Sequence, residues 1–263
     1  MRHWYYGSMP NNMKDARLAS GFLCFFCFTF ALAFLGPASC ASPLAWSAYD
    51  DSLSSLDAHA WKSDLSSLEH ELLKHSKLRA DAAAAERLHT AISLAMSAVD
   101  GADTPASRRD AAIAGIAKAC ASVGDGHTRI NASPSSRFPV ALRFYPISGS
   151  YDATDYELRV YASSPEFAFL LGKKVEKIQG LPVDAVLKAL EPAVSLESAL
   201  DEPGAEALKG LALRTESLSA CMNPFLMRGL GLADKEGLHL TIDASDYTVP
   251  EMSESFAWSY AIA

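Results

Sequence analysis

One histidine of this sequence lies in a setting that is typical of acid–base chemistry. His127 belongs to the motif Gly-Asp-Gly-His-Thr at residues 124–128, directly after a stretch of helical periodicity. A serine hydroxyl is a poor nucleophile until an imidazole with a pKa near neutrality takes its proton. The glycines let the backbone turn sharply, so that the ring can face a cleft. His127 is therefore a candidate general base. The spacing by itself favours the alternative, a helix cap and turn with local hydrogen bonds.

The sequence offers no recognisable nucleophile for such a base. Activated serines commonly stand in a G-x-S-x-G or an S-x-x-K context. Neither context surrounds the candidates Ser217, Ser219, Ser245, Ser253 and Ser255. A complete serine-nucleophile site is therefore not encoded in this chain.

The remaining histidines and the cysteines do not form a metal or cofactor pattern. His70 and His75 are five residues apart, whereas a separation of four would align two ligands on one face of a helix. Cys120 and Cys221 could form one disulfide in an oxidising compartment, or they could be two buried thiols. The sequence thus predicts neither a metal nor a cofactor.

The N-terminal residues 1–41 have the pattern of an export signal. An uncharged apolar run spans residues 18–35, with basic residues before it and small residues after it. Cys40 follows Ala-Ser and resembles the lipid-modified cysteine of a bacterial lipoprotein. Cleavage after Ala41 would instead release a soluble protein, and the apolar run is also just long enough for a membrane anchor. In each case we expect residues 42–263 in the periplasm or cell envelope.

Composition limits the classes of partner. The chain has 263 residues, of which 49% are hydrophobic and 21% charged, so it can bury a core. Its formal net charge is −8. Since nucleic acids and anionic membrane surfaces both attract a surplus of Lys and Arg, neither is expected as a main partner. A membrane attachment would instead come from the N-terminal lipid or signal.

Three helices are expected to position the histidine. Residues 42–60 are rich in Ser, Ala and Asp and predict a tether, and residues 61–126 predict a helical bundle. The apolar spacing starts the first helix at Trp61 and gives a second helix over residues 81–99. Thr104 is the predicted N-cap of the third, which ends at Gly124.

The region 127–250 predicts a small mixed sheet with short helices. Its β-type segments and its helical segments alternate, and residues 201–230 are mostly helical with a break at Asn223-Pro224. Residues 251–263 carry no pattern and are expected to be an unstructured or truncated end. The fold class is therefore α+β. Strands are predicted at 138–147, 156–162, 173–179 and 238–242, and short helices at 164–171 and 182–190.

Two motifs together resemble a known family. The first is Gly-Asp-Gly-His-Thr, and the second is Gly-Lys-Lys-Val-Glu-Lys-Ile-Gln-Gly-Leu-Pro-Val at residues 172–183. Their order resembles the N-terminal half of the tail-specific, or C-terminal-processing, serine peptidases, especially their tricorn-like exported bacterial branch. The resemblance extends from about Trp61 to Asp243. It implies a PDZ-like segment over residues 170–190 and places His127 at the position of the family's general base.

The resemblance also implies what the chain lacks. In that family the serine nucleophile lies well beyond the PDZ-like region, about where this chain ends. The expected function is therefore that of the substrate-positioning part of an exported peptidase, encoded by a truncated or split gene. Its expected partners are a polypeptide or peptide C-terminus and, in the split case, a separate catalytic-domain polypeptide. The alternative is a non-catalytic, peptide-binding surface lipoprotein.

Overall fold

A computed structural model describes residues 53–74, 78, 81–130, 136–147, 155–201, 204–221, 223–253 and 257–261. The predicted export signal, with Cys40 and Ala41, lies outside these residues, as does the first part of the predicted tether. The described residues combine helices with two sheets, which confirms the α+β class. None of their helices has both the length and the apolar character needed to cross a membrane.

The chain begins its described part with three packed helices. They are α1 (Ala58–Leu73), α2 (Ala82–Asp100) and α3 (Pro105–Ser122). Thr104 and Ser107 form a capping box at the start of α3, so the predicted N-cap is confirmed. The tether prediction is wrong at its end, because Leu53 is buried and α1 begins three residues before Trp61.

Helix α3 is shared by the bundle and the region that follows it. Its buried Ile113, Ala114 and Ala117 belong to the same apolar core as the strands. Gly115 faces Ala95 of α2 so closely that a Cβ at this glycine would collide with that side chain. Helix α3 therefore contributes one face to the core of the region 127–250 and another to its contact with α2.

The first sheet has three antiparallel strands in the order β1-β2-β7. The strands predicted at 138–147 and 156–162 are present as β1 and β2, and they pair with each other. The prediction for residues 251–263 is wrong, because Met252 pairs with Arg137 and β7 adds to the sheet beside β2. The strands are β1 (Val140–Pro146), β2 (Tyr156–Ser163) and β7 (Ser259–Tyr260).

The second sheet has four antiparallel strands in the order β4-β3-β5-β6. A tight turn at Asp243 and Ala244, both with positive φ, joins β5 to β6. The expectation of one mixed sheet is wrong, since every pairing in the described residues is antiparallel and there are two sheets. The strands are β3 (Val175–Ile178), β4 (Leu181–Pro182), β5 (Leu238–Ile242) and β6 (Ser245–Val249).

Short helices connect and cover the sheets. Asn223 caps the start of α6 with its side chain, which confirms the predicted break at this position. Two 3₁₀ turns flank a short extended segment at residues 194–197. The helices are α4 (Val183–Leu190), α5 (Glu206–Cys221) and α6 (Pro224–Gly229), and the 3₁₀ turns are Pro165–Leu170, Glu191–Ala193 and Ser198–Asp201.

Candidate functional site

His127 lies in a tight turn directly after α3. Gly124 has φ 67°, which ends the helix in the left-handed conformation. The Asp125 carboxylate accepts hydrogen bonds from the His127 backbone N–H (3.0 Å) and from the Thr128 hydroxyl (2.8 Å). The local hydrogen bonds of a helix cap and turn are therefore present, as the alternative interpretation of the motif predicted.

A residue from a distant part of the chain completes this turn. Glu197 follows 71 residues after Gly126, whose backbone N–H donates to Glu197 Oε1 at 3.1 Å. His127 Nδ1 lies 3.4 Å from Asp125 Oδ1 and 3.5 Å from Glu197 Oε1. We call Asp125, His127 and Glu197 the histidine cluster. Its candidate ligand atoms all lie within 4.8 Å of one another.

A buried hydroxyl fixes the segment that carries Glu197. Ser195 is buried, and its Oγ donates to the backbone oxygen of Thr128 at 2.6 Å. A Cβ at Gly126 would come within 3.2 Å of Glu197 Oε1, so the glycine leaves room for this carboxylate. The two segments are thus held together by backbone and side-chain contacts that do not involve the imidazole.

The electrostatics of the cluster favour one arrangement of the imidazole proton. The backbone N–H of His127 has the largest effect on the Asp125 carboxylate and lowers its pKa. Burial opposes this, and the Thr128 hydroxyl and the His127 side chain lower the pKa further. A proton on Nδ1 faces this carboxylate and that of Glu197, which leaves the lone pair of Nε2 available. The His127 side chain is 92% exposed, so Nε2 is open to solvent.

The nucleophile that the base would need is not beside it. Among the described residues, no serine side chain is hydrogen-bonded to His127. Ser217 is fully buried in α5, and Ser245 begins strand β6. Ser219 has no described side chain, and Ser255 lies outside the described residues. In the part of the chain that the structure describes, His127 thus lies beside two carboxylates and has no serine hydrogen-bonded to it.

A groove opens next to the histidine cluster. It has a volume of about 740 Å³ and lies between α2, α3 and the segment from Glu191 to Leu196. Gly124 and Leu196 line it, and each directly precedes a residue of the cluster. Leu94 contributes an apolar side chain that is 66% exposed. Alanines of α2 and α3 form much of the surface: Ala83, Ala91, Ala95, Ala98, Ala111, Ala114 and Ala121.

The sequence indicated Asp125 and His127, but neither Glu197 nor the groove. Asp125 and His127 stand in one motif, whereas no spacing signal connects Glu197 to them. The groove was also missed, because alanines on a helix have the same pattern whether they face a neighbour or a cleft.

Among the described residues, no other histidine and no cysteine belongs to the histidine cluster. Cys120 is a free cysteine, so the disulfide with Cys221 is not formed. Its thiol is buried, and burial raises its pKa to about 12. His89 is paired with Glu69 and His239 with Asp234. His70 lies in α1, and His75 is outside the described residues.

No family model, curated protein or solved structure matches this chain.

Proposed function

We propose that this chain is an exported, peptidase-like protein that positions a polypeptide substrate and supplies His127 as general base to a serine on a second polypeptide. One observation carries the proposal. The Nδ1 side of His127 faces two carboxylates within 3.5 Å, and its Nε2 side is open. In base–nucleophile pairs, a carboxylate on one imidazole nitrogen fixes the tautomer and stabilises the imidazolium that forms.

The distances from His127 to its two carboxylates are compatible with a catalytic site whose partner is not yet bound. Both Nδ1–oxygen separations exceed the 2.7–3.2 Å of ordinary N–H···O hydrogen bonds. Catalytic hydrogen bonds are often long before the reacting groups meet and then shorten in the complex. A partner domain over His127 would also remove the water that now surrounds its ring.

The groove supports a role in substrate positioning. It is apolar along its alanine surface and ends beside the histidine cluster, so an extended polypeptide lying in it would pass close to His127. Charged side chains at its rim include Lys118 and Glu86, which can bind polar groups of a peptide. Attachment to the membrane would follow from lipidation of Cys40 or from an uncleaved signal, as the N-terminal pattern predicts.

The test uses the protein in its own cell envelope. The wild-type chain and His127→Ala are each recovered by antibody under native conditions and treated with a fluorophosphonate probe. We expect a second polypeptide to be labelled with the wild type, and labelling to fall to background with His127→Ala although the same polypeptide is still recovered. Absence of a labelled partner, or labelling unaffected by the substitution, would overturn the proposed role of His127.

A second candidate function is binding without catalysis, as a peptide-binding surface lipoprotein. It is favoured by strand β6, which is an edge strand of its sheet and carries exposed side chains. Edge strands bind extended peptides by adding them to the sheet. Here we expect peptides with a free C-terminus to bind with an affinity that survives His127→Ala, without hydrolysis. Fluorescence anisotropy combined with mass analysis of the peptide distinguishes the two functions.

A further inference from the structure

We propose that Asp125, His127 and Glu197 bind a divalent transition-metal ion, and that Zn²⁺ fits them best. The binding itself is independent of the proposed function. Only its effect on catalysis, described below, rests on that function.

The separations from the imidazole to the two carboxylates agree with metal ligation better than with hydrogen bonding. Zn²⁺ binds imidazole nitrogen and carboxylate oxygen at about 2.0–2.2 Å in tetrahedral geometry, which separates two ligand atoms by about 3.3 Å. The separations from His127 Nδ1 to the two carboxylate oxygens are 3.4 and 3.5 Å. Both are too long for a good hydrogen bond and close to the edge of a zinc tetrahedron.

The types of ligand also select the ion. Ca²⁺ and Mg²⁺ are bound almost entirely by oxygen, whereas imidazole nitrogen favours Zn²⁺ and its transition-metal neighbours. Two carboxylates and a neutral imidazole would balance the charge of a divalent ion. Three protein ligands leave a fourth position for water or another group, as in zinc sites that are open to exchange.

Neighbouring groups already orient the carboxylates. The Thr128 hydroxyl holds Asp125 Oδ2, and the Gly126 backbone N–H holds Glu197 Oε1. Hydrogen bonds of this kind direct ligand oxygens toward a metal and reduce the ordering that binding requires. Because the imidazole is exposed, an ion can reach the cluster without movement of the backbone.

Two other histidine–carboxylate pairs of the chain differ from the histidine cluster in their distances and in their number of carboxylates. His89 lies 2.8 Å from Glu69, and His239 lies 2.9 Å from Asp234, which are hydrogen-bond distances to one carboxylate each. Within the described residues, only the histidine cluster brings three such ligands together. The pair of His89 and Glu69 is therefore a matched control.

An ion at this position would regulate the proposed base. With Nδ1 bound to the metal, a neutral imidazole carries its proton on Nε2 and has no lone pair left to accept another from a serine. Zn²⁺ and substrate activation would then exclude each other. Removal of the ion by a chelator would restore the base.

The test is calorimetric titration of the full chain, purified in detergent without a polyhistidine tag and stripped with a chelator. We expect one Zn²⁺ per chain. Glu197→Gln should weaken binding by about tenfold or more, and His127→Ala should abolish it. His89→Ala and Glu69→Gln should leave the affinity unchanged. Histidine resonances measured by NMR should show that His127, and not His89, is perturbed by substoichiometric Zn²⁺.

The outcomes separate this inference from the proposed function. No stoichiometric binding, or equal binding by wild type and His127→Ala, would overturn the metal site whatever the labelling experiment gives. Binding that depends on His127 and Glu197 supports the site even where no serine polypeptide is found. Zn²⁺ that binds but leaves fluorophosphonate labelling of the partner unchanged would refute the regulatory effect alone.

Discussion

Helix α3 carries a charged cluster toward each of its ends, and the two clusters differ in nearly every physical respect. Near its beginning, Asp110 accepts hydrogen bonds from Arg109 on Oδ1 and from Arg228 on both carboxylate oxygens. Their side chains are only 7–15% exposed. Beyond its end, the histidine cluster has a ring that is 92% exposed and carboxylates that are only partly satisfied.

The buried cluster is complete, which marks it as structural. Arg109 also donates to Ser54, and Arg228 also pairs with Glu251, so four separate parts of the chain meet at Asp110. Arg109 stacks over the Phe225 ring at 3.8 Å. The Asp110 carboxylate thus accepts four hydrogen bonds from the two guanidinium groups. The exposed cluster keeps a free imidazole nitrogen and free oxygen lone pairs, so it can exchange protons or an ion.

The largest expected effect breaks the buried cluster. Asp110→Ala leaves two guanidinium groups in the interior without their carboxylate, and removal of one partner of a buried ion pair costs about 3–5 kcal/mol. We expect the free energy of unfolding, measured by urea denaturation, to fall by that amount. Asp100→Ala is the control, because Asp100 pairs with Lys62 at the surface. There the loss should be about 0–1 kcal/mol. Equal losses in the two variants would refute the distinction.

A second prediction concerns the contact between α3 and α6 beside that cluster. A Cβ at Gly229 would collide with the backbone oxygen of Asp110 and with the Ala114 side chain. Since backbone cannot move aside cheaply, Gly229→Ala should cost about 1–3 kcal/mol. Gly101→Ala is the matched control, because its new Cβ would meet only ordinary contacts of 3.5 Å or more. Thermal denaturation of both variants tests this, and an unchanged midpoint for Gly229→Ala would contradict it.

Local sequence signals predicted the elements that local chemistry determines. Thr104 with Pro105 fixes the start of α3 through a cap and a preset φ, and both features are readable in four residues. Strand β7 was missed because two residues have no periodicity, and their pairing partner in β2 lies almost a hundred residues earlier. One-dimensional patterns do not record such a partner.

The same limit explains why the sequence predicted part of the histidine cluster and nothing of the cluster around Asp110. Asp125 and His127 are neighbours, so the sequence could propose them together, whereas Glu197 joins them only through the fold. The sequence does not predict the cluster around Asp110, because charged residues are rarely buried and because its partner Arg228, which also pairs with Glu251, comes from the other end of the chain. Completion of a charged cluster is a property of the tertiary structure.

A third prediction concerns the pH dependence of the stability that Asp125 of the histidine cluster contributes. Folding lowers the pKa of Asp125 from its ordinary value of 3.8, so its hydrogen bonds stabilise the folded state above that value. This stabilisation is lost as the pH falls through the lowered folded pKa. Asp125→Asn should therefore be less stable than wild type at neutral pH, and the difference should vanish in strong acid. Urea denaturation of both proteins across the acid range measures it. A difference that is the same at every pH would show that ionisation of Asp125 does not contribute.

The smallest expected effect on stability completes the comparison. His127 donates only its backbone N–H to the turn, and its ring is surrounded by water, so His127→Ala should change the free energy of unfolding by about 0.5 kcal/mol or less. The same substitution should abolish both Zn²⁺ binding and labelling of the partner. Urea denaturation and calorimetry on one preparation test the two halves of this statement. A destabilisation as large as that of Asp110→Ala would mean that the imidazole serves the fold, and both proposals for the exposed cluster would lose their basis.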